Sequence, residues 1–335
     1  MRGAVTQGPA IADQAGKAAE LIQPLRLPWR RLRMAAAAVV LLAAAALLVS
    51  GIIGGSGGEP VVVRIPGSPT GLAASGDTVW VSAAGAHAVW PIDPASGRQA
   101  GPGILTGGSP SRLAVGAEGL WVADSARGAV IPVRTSPRRV YAPIEVGSDV
   151  TDVELAAGAV WVASSAERTV RAIEPDGGAV RRLGVGGDPV DIAADGRWVV
   201  VAGAGAGTVT RIDARTRRPV GAPVDVGGVP VAVAVSGDTA WVADSSRGTV
   251  ASLDLAAGRA GRIVEVGRAP VAVAADGDEV WVLCRGDRTL VRVDGRDGEV
   301  LSRRELDVEP SAMALDDRYV WVAASADKEV LRIAR

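Results

Sequence analysis

Apolar residues along most of this chain alternate with small or polar ones in short runs, and the runs recur in a fixed order. Between residues 230 and 266 they read VAVAV, TAWVAD, TVASLDL and GRIVEV, separated by SGD, SSRG and AAG. Alternation with a period of two puts successive side chains on opposite faces of an extended chain, and Gly, Asp and Ser between runs supply turns. Each such group predicts four short antiparallel strands. Helical repeats of similar length need a period near 3.6 and few glycines, and neither is present.

The same group recurs along the chain. Aligned on Trp-Val, the copies read VWVSAAGAHAV, LWVADSARGAV, VWVASSAERTV, AWVADSSRGTV, VWVLCRGDRTL and VWVAASADKEV, centred on Trp80, Trp121, Trp161, Trp241, Trp281 and Trp321. A seventh copy, WVVVAGAGAGTV, fills the double-length gap with Val200 in the tryptophan's place, and the steps become 41, 40, 39, 41, 40 and 40 residues. Trp198 lies two residues before Val200, on the same face of a strand, and is placed to fill the space the missing indole leaves. Eleven residues before each centre stand Pro69, Pro110, Val150, Pro189, Pro230, Pro270 and Pro310, a recurring bend. Four strands in a unit of about 40–45 residues is the signature of a β-propeller blade. The expected fold is all-β, a seven-bladed propeller of four-stranded antiparallel blades.

The ends carry their own prediction. The last copy stops at VLRIAR (330–335), after its third strand, while a spare strand, VVVRIPG (61–67), precedes the first copy. The spare strand is expected to complete the last blade and close the ring, so that no sheet edge is left open.

Upstream the pattern changes. Residues 34–53, MAAAAVVLLAAAALLVSGII, carry no charge, and the 33 residues before them hold six Lys/Arg and two acids, a net +4. About 20 apolar residues in a helix span a bilayer core, and the basic flank stays inside. The expected organisation is a cytoplasmic tail (1–33), largely disordered apart from a short helix near 11–23, a transmembrane signal anchor (34–53), a flexible linker (54–60) and an extracytoplasmic propeller (61–335). A cleaved signal peptide is the rival; the long leader, and Ala-x-Ala triplets inside the apolar run rather than after it, favour the uncleaved anchor.

Composition narrows the chemistry. Hydrophobic residues make up 48%, Gly numbers 43, Phe is absent and the formal net charge is −1. That balance gives no pull toward nucleic acid, and stacking aromatics for single strands are missing. The one cysteine, Cys284, excludes a disulfide framework and a Cys-based metal cluster. A Ser/His/Asp triad would have to use the one histidine, His87, which falls in a Gly/Ala turn. GAGAG (203–207) lies between strands and not before a helix, so it reads as a flexible hairpin rather than a phosphate loop.

Two clusters emerge from the alignment. On the innermost strands, where other units carry Ala or Gly, units two to four place Arg112, Asp152, Glu154 and Asp191 toward the central channel. Asp152, Glu154 and Asp191 supply the hard oxygen ligands that calcium or magnesium takes; the competing reading pairs Arg112 with one acid and leaves the others in water. Six or seven residues past each centre, in the turn after the second strand, stand His87, Arg127, Arg168, Arg247, Arg288 and Lys328. They predict an interrupted basic ring on one face, able to meet an anionic partner. Its rival is a solvated turn.

With the units aligned, VEVGRAPVAVAADGDEVWVLCRGDRTLVRVDGRDGEV resembles the YVTN-type β-propeller repeat, with Trp for Tyr. That family's repeat has a Gly-Pro bend, a Tyr-Val-Thr-Asn strand and a third strand ending in Asp. The acid appears as Asp93, Glu174, Asp213, Asp254 and Asp294, while the second unit has Arg134. The resemblance covers 61–335 and implies the fold, not an activity. Streptogramin lyases are also seven-bladed, but the paired histidines, glutamate and magnesium on which they rely have no counterpart in a chain with one histidine. Membrane receptor kinases can carry extracellular propellers, but 33 cytoplasmic residues cannot hold a kinase. The expectation is a non-enzymatic extracytoplasmic binding or scaffold protein with no cofactor, presenting a loop face to a protein or cell-envelope ligand. The alternative is a metal-dependent lyase or hydrolase acting at the channel.

Overall fold

Seven first strands line the axis: Pro69–Ser75, Pro110–Gly116, Val150–Ala156, Pro189–Asp195, Pro230–Ser236, Pro270–Asp276 and Ala312–Leu315. Each packs against the first strands of both neighbours, and the seventh returns to the first, so the ring is closed. The computed structural model describes residues 58–175 and 180–335. The tail (1–33), the apolar run (34–53) and most of the linker lie outside them; no helix among the described residues is long and apolar enough to cross a membrane.

Each first strand begins a blade whose strands pair antiparallel in sequence order from the axis outward. Blade 5 is the plain example: Pro230–Ser236, Thr239–Asp244, Thr249–Asp254 and Arg259–Glu265. In blades 1, 2 and 4 the expected fourth strand is instead two short pieces, Arg98–Gln99 with Ile104–Leu105, Arg138–Val140 with Ile144–Glu145, and Arg218–Pro219 with Val224–Asp225. Pro102, Pro143 and Pro223 stand in the three gaps. A proline has no N–H for the ladder, so the edge strand leaves its neighbour before it and rejoins it one or two residues after it.

The spare strand behaves as expected. Val61, Val62, Val63 and Arg64 pair with Arg332, Leu331, Val330 and Glu329 and complete blade 7. The strand ends at Arg64, not at residue 67, ahead of Pro66.

Packing explains the tryptophan repeat. Seven apolar clusters fill the seven blade interfaces, each joining the second strand of one blade to that of the next. Trp80 meets Val122 and Ile131 of blade 2, Trp241 meets Val280 and Val282 of blade 6, and Trp321 meets Val79 and Val81 of blade 1. Across the ladder Trp241, Trp281 and Trp321 face Ala234, Ala274 and Ala314, small partners that leave room for the indole. In blade 4 Trp198 is buried in the same cluster as Val200, Val233 and Val242, and its indole N–H donates to Asp238 Oδ1 at 2.6 Å, so it does replace the missing side chain. Burying one such indole is worth about 3–5 kcal/mol against Ala.

Candidate functional site

The antiparallel register sorts the loops onto two ends. Pro69 pairs with Ala83 and Pro230 with Asp244, so the start of each first strand lies beside the end of the second. The turns between second and third strands therefore share one end with the connections between blades. Turns between first and second strands lie at the other.

At the first end, His87, Arg168, Arg288 and Lys328 occupy one turn position with φ of +50, +52, +52 and +60°. Gly128, Gly207 and Gly248 hold the same position elsewhere, with φ of +64, +64 and +69°. A left-handed residue is what closes this turn, and glycine is its default. That is why Arg127 and Arg247 stand one place earlier, each before a glycine, and why GAGAG (203–207) is a short 3₁₀ turn, Ala204–Ala206, closed by Gly207.

The ring does not act as six free cations. Arg168 Nε reaches Asp188 Oδ1 at 2.9 Å, Arg127 Nε faces Asp124 Oδ2 at 3.6 Å, and Arg247 Nε faces Asp244 Oδ2 at 3.7 Å. His87 Nδ1 is 2.6 Å from the Gly108 carbonyl oxygen, a contact in which the ring nitrogen carries the proton. Arg288 and Lys328 have no ion pair among the described residues.

Asp124 and Asp244 are residues the sequence reading overlooked. Asp244 Oδ1 accepts the N–H groups of Val229 at 3.0, Ser246 at 2.9 and Arg247 at 3.2 Å, and the Ser246 hydroxyl at 2.7 Å. Asp124 takes Ser109 and Arg127 in the same way. The signal was present: both carboxylates sit three residues after a tryptophan, and a glycine stands two before each bend proline. A Cβ at Gly228 would lie 1.7 Å from Asp244 Oδ2, and one at Gly108 would lie 1.8 Å from Asp124 Oδ2.

Arg112, Asp152, Glu154 and Asp191 do come together at the channel, but the acids serve the backbone. A first strand is the free edge of its sheet, so half its N–H groups have no ladder partner. Asp152 Oδ2 accepts the N–H of Ile192 in the next blade at 2.8 Å, and Asp191 Oδ2 accepts that of Val233 at 2.8 Å. Each carboxyl thus ties one first strand to the next. Burial, and then the charge of Asp152, raise Asp191 well above the usual carboxyl range, with Arg112 opposing. Glu154 turns back to accept the Leu155 N–H at 2.7 Å, and burial pushes its pKa from 4.5 to about 7.

Asp152, Glu154 and Asp191, the residues expected to ligate calcium or magnesium, each accept a backbone N–H. Among the described residues no three Asp, Glu, His or Cys side chains form a group that could hold a metal ion. Cys284 is buried, its thiol pushed up to about 11 by burial. It is a packing residue rather than a nucleophile.

The raised acid gives a pH prediction. An acid whose folded pKa exceeds its unfolded value favours the folded state when protonated and costs stability once it must ionise. For Glu154 the loss falls between about pH 4.5 and 7 as pH rises. Urea midpoints of the native protein should fall across that window by more than those of Glu154→Gln; parallel curves would show that the group ionises freely.

The sequence matches no described protein family and no curated protein. Its fold does match solved structures. Virginiamycin B lyase from Staphylococcus aureus superposes with a TM-score of 0.72 at 15% identity over 83% of this chain and 99% of that one. A streptogramin B lyase gives 0.72 at 16% over 82% and 96%. Hydrazine synthase of Kuenenia stuttgartiensis gives 0.70 at 18% over 80% and 96%. At these identities the likeness is one of architecture, and the chain shares the seven-bladed propeller of the streptogramin B lyases.

Proposed function

We propose that this chain is a membrane-anchored, extracytoplasmic binding protein without catalytic activity, its propeller held outside the cell by residues 34–53. The propeller presents the end carrying the second-to-third-strand turns to an anionic protein or cell-envelope ligand. The observation supporting this reading is the use to which polar groups are put. The channel carboxylates are bonded to backbone N–H groups, whereas Arg288 and Lys328 project from closed turns with no ion pair among the described residues. Turns fixed by left-handed residues and by Asp124 and Asp244 lose little conformational freedom when a ligand docks. The competing lyase or hydrolase reading needs a ligand set that Asp152, Glu154 and Asp191 do not form.

Arg288→Glu with Lys328→Glu breaks no ion pair, unlike changes at Arg127 or Arg247, which would set a second acid beside Asp124 or Asp244. The double variant should retain its melting temperature and lose most of its retention on isolated anionic cell-envelope polymer. Undiminished retention would remove this end of the propeller as the binding surface.

A further inference from the structure

Blade 2 differs from blades 4, 6 and 7 at three positions on one face. Two residues before the tryptophan position the units carry Thr78, Ala159, Trp198, Thr239, Glu279 and Tyr319, but blade 2 has Gly119. Opposite the tryptophan position on the third strand, blades 4, 6 and 7 carry Arg211, Arg292 and Arg332, whereas blades 1 and 2 carry Pro91 and Pro132. The acid that ends the third strand in five other blades is Arg134, which pairs directly with Gly119.

In blades 4 and 7 those side chains seal the blade interface. Arg332 of blade 7 donates to the carbonyl oxygens of Pro94 and Ala95 in blade 1, at 2.8 and 2.7 Å. Arg211 of blade 4 donates to that of Leu255 in blade 5 at 2.6 Å. Tyr319 lies edge-on to Trp321, with centroids 6.2 Å apart. Blade 2 has no such cover. Trp121 is only partly buried, and a cleft of about 790 Å³ opens between blades 2 and 3 at the end away from the basic turns. Trp121, Pro132, Tyr141 and Ile144 form one wall, and Leu155 and Pro175 stand on the other. Pro175 holds the chain position of Pro94 and Leu255, the residues that receive the arginines elsewhere.

The lip of the cleft carries an unresolved charge. Arg134 and Arg139 face each other directly across the third and fourth strands, both exposed. The Arg139 guanidinium lies 4.8 Å above the Tyr141 ring. Like charges directly opposite on a sheet destabilise it, yet neither arginine has an ion pair among the described residues. Glu118, exposed on the blade 2 turn beside Gly119, leaves the lip net positive. Small-molecule sites are concave, mostly apolar, of about 300–1,000 Å³, with few polar groups that fix orientation.

We propose that this cleft binds an organic anion with a flat apolar body. Its acid group sits between Arg134 and Arg139, where it offsets their repulsion, and its ring system lies against Trp121, Pro132 and Leu155. The site is independent of the binding surface proposed above and lies at the opposite end of the propeller.

Titration calorimetry of the full chain with naphthalene-2-sulfonate, and with uncharged 2-naphthalenemethanol, tests the site. The sulfonate should bind one-to-one. Arg134→Glu with Arg139→Glu, both at exposed positions, should weaken the sulfonate by at least about tenfold, since its hydrogen bonds to two cations are lost and two like charges take their place. The same variant should leave 2-naphthalenemethanol within about twofold. Absence of saturable binding at millimolar sulfonate, or sulfonate binding that the double variant leaves unchanged, would overturn the proposal.

Discussion

Val63→Asp should unfold the propeller at far milder urea concentration than the native protein, although Val63 belongs to a four-residue edge strand. Val63 is 4% exposed. It pairs with Val330 and packs among Val79, Val81, Ile92 and Trp321, at the seam where blade 7 meets blade 1. A carboxylate there finds no cation in that cluster, and an uncompensated buried charge costs on the order of 3–5 kcal/mol. The variant also severs the tie between chain ends some 265 residues apart, which Arg64 and Glu329 reinforce at 2.8 Å. Val62→Asp is the control: Val62 is 47% exposed on the same strand, and its change should cost less than about 0.5 kcal/mol. Equal midpoints for the two variants would mean that the strand is not part of the cooperative unit.

The second large effect is expected at Asp244. Removing its carboxylate in Asp244→Ala leaves the N–H groups of Val229, Ser246 and Arg247 without their acceptor. Each orphaned buried donor costs about 1–3 kcal/mol, and partial access of water to the turn brings the sum to about 3–4 kcal/mol. Burial works against the charged form of Asp244, but the bonds from Ser246, Val229 and Arg247 outweigh it and hold the group below its ordinary 3.8. A depressed carboxyl contributes stability that is complete above the unfolded value and is lost as pH falls through the folded one. The gap between native and Asp244→Ala midpoints should therefore be widest above pH 3.8 and narrow below it. A gap independent of pH would mean that the charge plays no part.

How far the chain could be read from residues alone follows from the distance over which each feature is encoded. The blades were legible because the Trp-Val pair, the bend proline and the turn glycines lie within one unit and repeat. The closing strand was legible because VVVRIPG was left over while VLRIAR lacked a partner. Trp198 was recognised by its two-residue offset from Val200. The broken fourth strands were not foreseen, although Pro102, Pro143 and Pro223 mark them, because a proline at a sheet edge also permits an unbroken strand. The task of Asp152 and Asp191 was hidden for another reason: each bonds an N–H about forty residues away in the next blade, and only the ring closes that distance. Arg134 stood out as a departure, but the cleft also needs Gly119 and Pro132 on the same face, which becomes visible once the ladder register is known. The basic turns were found, while the ion pair of Arg168 depends on Asp188 from the next loop, and those of Arg127 and Arg247 on Asp124 and Asp244 three residues earlier in their own turns.

Hydrogen exchange of the peptide spanning residues 58–66, followed by mass spectrometry in the native protein, tests ring closure most directly. In a closed ring the bonded amides of 61–64 are protected and exchange together with those of 329–334, in the same cooperative opening. Exchange of 58–66 at the free-chain rate, while 329–334 stay protected, would contradict closure.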